Sequence, residues 1–507
     1  MERPAPPGVL AIALATLGVH AAAGAGYGMF RDEFYYLACA DHMDWGYVDH
    51  PPLSIAVLWL SRALFSDSVY AIRLVPAIAG AILVLVAARL AREMGGDDFA
   101  QVLAALAVSV TPVYLAIAGS YSMNAFDLLF WAVLALILAR LARTDDPKGW
   151  LAFGIVAGLG LENKISVLFL GAGAGAALVL TPLRRHLRTA YPWVGGLLAA
   201  VLFAPYVLWQ TSHGWATLEF MHNAQEYKIA PMTVSQFLKA QVDQALPFNA
   251  PLWLAGLLGV FFGRELKRFR VLGIVYATAL LLMLVQRAKP YYLAPAYTML
   301  LAAGAIVVGE AISRSGRWSG ALRGALLLYV LAGGAVAVPL VVPFLPVEKL
   351  IAYERALGDA PRNEERSALG PLPQYYADRF GWEEMTAAVA AAYRSLPPED
   401  RAKALIVTRN YGEAGAITYL GRRYGLPKAF SQHNNFYFWG PPGESAPIVI
   451  MVGRPRSDIE GEFERVVESG RFVAPYAMPY ETAQPIFLCF GLKTPLQEAW
   501  RRGRFFI

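Results

Sequence analysis

Arg31–Leu53 reads RDEFYYLACADHMDWGYVDHPPL, and the rest of the chain is organised around it. An apolar run over 9–29 precedes it, and a second begins near Val69. The stretch holds Asp32, Glu33, Asp41, Asp44 and Asp49 in a chain otherwise short of carboxylates. Phe34, Tyr35, Tyr36, Trp45 and Tyr47 are interleaved among them, and Pro51-Pro52 closes the segment. Acids just outside an apolar span, beside aromatics that suit the membrane interface, point to chemistry at a lipid–water boundary.

Of 507 residues, 57% are hydrophobic and only 16% are charged, with a mean hydropathy of +0.42. Soluble domains carry roughly 25% charged residues. Apolar runs near 9–29, 69–90, 100–118, 123–141, 150–162, 165–181, 191–211, 250–263, 271–286, 291–312 and 323–345 predict about eleven helices, many of the ~20 residues that a bilayer crossing needs. The expected fold is therefore a polytopic α-helical membrane protein. No A-x-A-like cleavage site precedes the acidic loop, so the first run reads as a retained span.

Residues 1–345 hold 24 Lys+Arg and 19 Asp+Glu, whereas 346–507 hold 20 and 19. The shift divides the chain into a transmembrane domain, 1–345, with the loop 30–68 outside, and a soluble α/β domain, 346–507. In the latter, 382–394 and 414–424 have helical patterns, and 404–408, 447–452 and 486–492 read as strands between Gly/Pro turns. The net charge of +6 sits mostly in the membrane part, follows from loop topology and implies no nucleic-acid partner. Cys39 and Cys489 are the only cysteines, which excludes a disulfide framework and a cysteine zinc site. One bridge or two free thiols both fit.

Lys and Arg set the orientation. Arg89/Arg92, Arg140/Arg143/Lys148, Arg184/Arg185/Arg188, Arg264/Lys267/Arg268/Arg270 and Arg314/Arg317/Arg323 fall in alternate loops, which assigns those loops and the N-terminus to the cytoplasm. The acidic loop, 119–122, 162–164, 212–249, 287–291 and the tail then lie outside. The loop 212–249 carries amphipathic material (Trp215, Leu218, Phe220, Met221, then Val234, Phe237, Leu238) that fits either a helix flat on the membrane or an ordinary loop helix.

Ionisable residues at a membrane are costly and need a reason. Asp32-Glu33 directly follows the first span, where a carboxylate with a raised pKa suits a general base, although a solvated loop pair is the commoner origin of such a motif. Asp127 lies about a turn inside a span, for catalysis, substrate binding or a structural hydrogen bond. Lys164 in Glu162-Asn163-Lys164 suits a phosphate or an ion pair with Glu162 or a carboxylate of the first loop. Arg287 and Lys289, followed by Tyr291 and Tyr292, are outer-side cations that a lipid phosphate or simple headgroup contact would explain. His50 suits a phosphate contact or a proton shared with Asp49. His433–Tyr437 is a polar-aromatic cluster that fits sugar contact or, more commonly, an ordinary surface loop. HExxH, paired histidines, a Walker loop and GxGxxG after a strand are all absent from the sequence, which argues against a nucleotide-driven pump and a cytosolic nucleotide-sugar site.

Together these residues resemble family 39 glycosyltransferases of the GT-C fold class, which include protein O-mannosyltransferases and the bacterial transferases that add aminoarabinose to lipid A. Asp32-Glu33 after the first span, His50-Pro51-Pro52-Leu53 in the same loop, Tyr121 to Asp127 opening a later span and Lys289-Pro290-Tyr291-Tyr292 with Pro295 carry the resemblance over residues 8–345. The tail is similar only in placement and character. The resemblance implies a hexosyl- or pentosyltransferase of the plasma (inner) membrane with a polyprenyl-phosphate-linked sugar as donor and a lipid, glycan or protein as acceptor. It makes Asp32 the base with Glu33 in support, brings Asp127 to acceptor or sugar, and gives Lys164, Arg287 and Lys289 the donor phosphate. Asp49, His50, Tyr291 and Tyr292 complete the expected substrate-binding set. Relatives often have Lys where this chain has His50, so a phosphate contact there would be weakened or pH-dependent. A lipid-phosphate leaving group is already activated, so no metal is required; a divalent metal is compatible but not indicated. The rivals are a transporter or flippase of lipid-linked sugars, which would favour repeated halves and a midplane site, and a non-catalytic assembly or sensor protein that works through its tail.

Overall fold

The computed structural model of the chain describes residues 4–358 and 364–507. They form two compact units. One comprises the segment ending at Gly26, His50–Trp209 and Pro231–Leu350; the other comprises Tyr27–Asp49, Gln210–Ala230 and Ile351–Ile507. The second unit thus takes in most of the acidic stretch and part of the loop 212–249, where the sequence suggests a single boundary at 345.

All eleven apolar runs are helical in the first unit, and their lengths sort them. Among the described residues six helices are long and apolar enough to cross a membrane: Val69–Glu93, Met123–Thr144, Tyr191–Ser212, Lys267–Val285, Pro290–Ser313 and Gly316–Val341. Three further pairs bend by 63°, 95° and 91°, which gives up to nine spans rather than about eleven. Pro112, Pro182 and Pro247 stand at these breaks, where a residue without an N–H ends the helical ladder. Gly149–Leu161, at 13 residues, is about 20 Å long, short of a ~30 Å hydrocarbon core. Leu53–Leu64, read from sequence as loop, is a further short apolar helix.

The five basic loops join at one end of this unit. Arg143 bonds Glu93 (2.6 Å), Arg185 and His186 bond Asp145, and Arg323 bonds Asp97 (2.9 Å). Arg89, Arg92, Arg143, Glu265 and Arg268 line one cleft of about 400 Å³.

The second unit is built on a sheet of five strands: β1 (Ala404–Thr408), β2 (Ala429–Ser431), β3 (Ile448–Val452), β4 (Phe463–Arg471) and β5 (Pro485–Leu492). Their order is β2-β1-β3-β5-β4. β2, β1 and β3 are parallel, while β5 and β4 close the sheet antiparallel. β3 is buried along its whole length, as its unbroken IVIMV run requires. β4 is an edge strand whose exposed polar residues conceal it in the sequence.

Cys39 and Cys489 are both free, and neither exposes any surface. Burial pushes the Cys489 thiol up to about 12. The folded protein is therefore expected to take up no maleimide at pH 8, and two equivalents after denaturation, as counted by intact mass.

Candidate functional site

In the membrane unit three sequence elements are pinned together by hydrogen bonds to main chain. The Leu53 N–H donates to the Glu162 carbonyl (2.8 Å), the Tyr121 hydroxyl to the Ser54 carbonyl (2.6 Å), and Asn163 Nδ2 to the Met123 carbonyl (2.9 Å). The Pro51-Pro52 element, Tyr121–Asp127 and Glu162–Ser166 therefore meet at one end of the bundle.

At their junction lies the Lys164 ammonium. It donates to Asn124 Oδ1 (2.7 Å) and stands 3.4 Å from Asp127 Oδ2, with side-chain exposures of 11% for Lys164 and 1% for Asp127. The rings of Tyr292 and Tyr291 face it at 5.0 and 5.9 Å, within cation–π range. Ser166 Oγ donates to the other Asp127 oxygen (2.6 Å). Lys164 thus pairs with Asp127, where the sequence suggested Glu162 or a carboxylate of the first loop. His50 is buried, with Nδ1 3.0 Å from the Pro51 carbonyl, so that nitrogen carries the hydrogen. Burial raises Glu162 to about 7. Arg287 is exposed and Lys289 half-buried, so in the 287–292 turn the tyrosines are the groups seen against Lys164.

The acidic stretch forms a helix in the second unit, Arg31–Asp41, with Phe34 through Ala40 all buried. It is no solvated loop. Phe34 packs on Trp382 and Tyr419. The two neighbouring acids differ in role. Glu33 is interior, and its carboxylate accepts the Phe30 N–H (2.8 Å), which caps the helix. Asp32 keeps 34% of its side chain exposed, 3.6 Å from Arg31 Nε, and accepts a hydrogen bond from the Tyr411 hydroxyl (2.8 Å). Asp49 accepts from Tyr35 (2.8 Å), and the Val48 N–H donates to Asn435 Oδ1 (2.6 Å). His433, Asn434 and Asn435 are buried, so that cluster is an interior brace rather than a surface loop.

Arg31 anchors the helix start. Its N–H donates to the Asp378 carbonyl (2.9 Å), and its guanidinium reaches Tyr480 (2.7 Å) and Asp378 (3.5 Å). Burial still raises Asp378 to about 7. Nearby, Glu413 and Glu481 are buried beside Arg409 (3.6 and 3.8 Å); burial raises both, and the Glu413 charge raises Glu481 further. Among the described residues no three His, Cys, Asp or Glu side chains gather to hold a metal.

Residues 49–209 match the family model described as dolichyl-phosphate-mannose-protein mannosyltransferase. The match covers less than half of the chain, and over that segment the chain is similar to the family. ArnT from Cupriavidus metallidurans in the apo state is similar with a TM-score of 0.61 at 13% identity, over 95% of this chain and 97% of that one. The same enzyme bound to undecaprenyl phosphate gives 0.59 at 13%, over the same shares. At that identity the likeness is one of fold, the GT-C fold, and it extends through the C-terminal part. No curated protein matches the chain.

The segment that matches this family model contains His50, Tyr121, Asn124, Asp127, Lys164 and Ser166. Asp32, Glu33 and the 287–292 turn lie outside it. Sequence reasoning passed over Asn124 and Ser166 as functional partners. Asn124 was visible in principle, three residues before Asp127 and so on the same helix face. Tyr411 and Asn435 had no local signal.

Lys164→Met should leave the buried Asp127 carboxylate without its cation, lowering stability by about 3–5 kcal/mol. Thermal unfolding in detergent should show the Asp127→Asn/Lys164→Met pair recovering more than half of that loss. A second expectation concerns pH. Carboxyl groups that stay protonated in the folded protein, with unfolded values near 4, stabilise it below about pH 4 to 5. That contribution is lost as pH rises through the folded values, about 7 for Asp378 and about 8 for Glu481. The melting temperature should therefore fall between about pH 5 and pH 8, and Glu481→Gln should shallow the fall.

Proposed function

We propose that this protein is an integral-membrane glycosyltransferase that moves a sugar, a hexose or pentose, from a polyprenyl phosphate to a lipid, glycan or protein acceptor. The observation that carries the reading is the Lys164 cluster inside the segment that matches the mannosyltransferase family. An ammonium drawn from water beside aromatic faces and a proline-rich element is a costly arrangement, and a lipid phosphate arriving at the membrane surface gives it a purpose.

In the proposed reaction Asp32 takes the acceptor's proton as its O–H or N–H bond breaks. The freed electron pair forms the new bond to the anomeric carbon. The bond from that carbon to the phosphate oxygen breaks, and its electrons leave with the lipid phosphate. Lys164, with Arg287 and Lys289, holds the charge that develops there, Tyr291 and Tyr292 border the headgroup, and Asp127 orients Lys164 and meets sugar or acceptor. Glu33 supports Asp32 by fixing the start of its helix, while Asp49 and His50 flank the substrate. The five joined basic loops support a cytoplasmic placement for that end of the bundle, hence a non-cytoplasmic reaction with the C-terminal part on that side of the inner (plasma) membrane.

A flippase would carry the same lipid without breaking a bond, so turnover separates the two. Purified protein should co-purify with or bind a polyprenyl phosphate, detected by mass spectrometry, and should release it from a sugar-charged donor. Asp32→Asn should lower transfer by about 10²- to 10⁴-fold at an unchanged melting temperature. Full transfer by that variant would remove Asp32 as the base.

A further inference from the structure

We propose that Tyr411 is a positioning residue for Asp32, so that the C-terminal part supplies a working component of the acidic site. The inference rests on the transferase reading for its catalytic consequence, but its geometry lies wholly within the second unit.

Tyr411 is held on every side. It opens the helix Tyr411–Leu420, whose start is fixed by Asn410 Oδ1 accepting from Gly412 N (2.9 Å) and Glu413 N (3.1 Å). Glu413 returns the contact by accepting from Arg409 N (2.8 Å) and Asn410 N (3.2 Å). The Tyr411 ring packs against Tyr35 at 4.7 Å and His433 at 4.8 Å. Gly412 and Gly415 let this helix lie directly on the acidic one, because a Cβ at either would collide with Arg31 or Phe34. Ring and backbone fixed, the hydroxyl has one direction, and Asp32 Oδ1 is there at 2.8 Å.

A base on a half-exposed carboxylate rotates between several orientations unless something holds it. A buried phenol that donates to one oxygen fixes the plane of the carboxylate and leaves the other oxygen for the acceptor. Burial and the neighbouring Asp32 and Asp49 charges keep the Tyr411 hydroxyl protonated, so it remains a donor.

Tyr411→Phe removes the hydroxyl and keeps the ring, so the packing against Tyr35 and His433 survives. With an undecaprenyl-phosphate-linked sugar as donor, the variant should lose roughly 10- to 100-fold in kcat, keep the donor KM within twofold and melt at the wild-type temperature. Carbodiimide labelling of the full-length protein, read at Asp32 by peptide mass spectrometry, should rise several-fold, since the oxygen that the Tyr411 hydroxyl holds becomes free to react. Wild-type kcat together with wild-type labelling would overturn the proposal. So would a fall in melting temperature with a matching rise in KM, which marks a structural role. A wild-type protein that transfers no sugar overturns the transferase reading instead, and the labelling then decides alone whether Tyr411 governs Asp32.

Discussion

A charge taken out of water must be met by an opposite charge or by donors and acceptors that replace its hydration, and this constraint organises both units. In the membrane unit the charge is Lys164. Its ammonium would be prohibitive among apolar helices by itself. Asp127, Asn124 and two tyrosine faces surround it, delivered from the helix Met123–Thr144 and from the 287–292 turn while the lysine comes from a third element. That need explains the main-chain bonds linking the Pro51-Pro52 element, the start of Met123–Thr144 and the Glu162–Ser166 break. Interrupted helices at this end are the condition for placing backbone carbonyls and a lysine together, since an unbroken helix keeps its carbonyls for itself.

The second unit meets the same demand with a different balance. Arg31 and Arg409 face Asp32, Asp378, Glu413 and Glu481. Two cations cannot neutralise four interior or half-interior carboxylates, so protons supply the remainder, and burial raises Asp378, Glu413 and Glu481 accordingly. Asp32 is the carboxylate that keeps a third of its surface exposed. It is the member of the group that solvent reaches, while its neighbour Glu33 is committed to the helix start. One sequence dipeptide thus serves two purposes, because adjacent residues on a helix point about 100° apart.

How much of this was legible beforehand depends on how local the cause was. Apolar runs such as 69–90 and 123–141 announce helices because burial along the whole length needs only apolar residues. The strands at 404–408 and 448–452 are legible for the same reason. The number of crossings was less legible, since a 13-residue helix and a 25-residue helix both read as apolar runs and differ in reach. The helix Arg31–Asp41 was hidden because Phe34 through Ala40 are buried on every face, which leaves no amphipathic stripe to read. At the candidate sites, motif spacing placed Asp127 and Lys164 near one another in kind, but the choice of Asp127 as the partner of Lys164 required the break at 162–166. The Tyr411–Asp32 bond joins residues 379 positions apart, and nothing local in either neighbourhood refers to the other.

That separation bears on why the C-terminal part accompanies the membrane helices at all. A sheet with its own core, Val407, Val449, Met451, Phe487 and Trp500, is more than a loop needs for solubility. A short acidic segment between two membrane helices has too few contacts of its own to fix a carboxylate, whereas precise placement is what makes a general base effective. Packing it on a rigid α/β frame through Phe34, Tyr35, Arg31 and Val48 gives that segment a core to belong to. The Asp32 carboxylate then inherits the rigidity of a folded unit, which a short segment could not supply by itself.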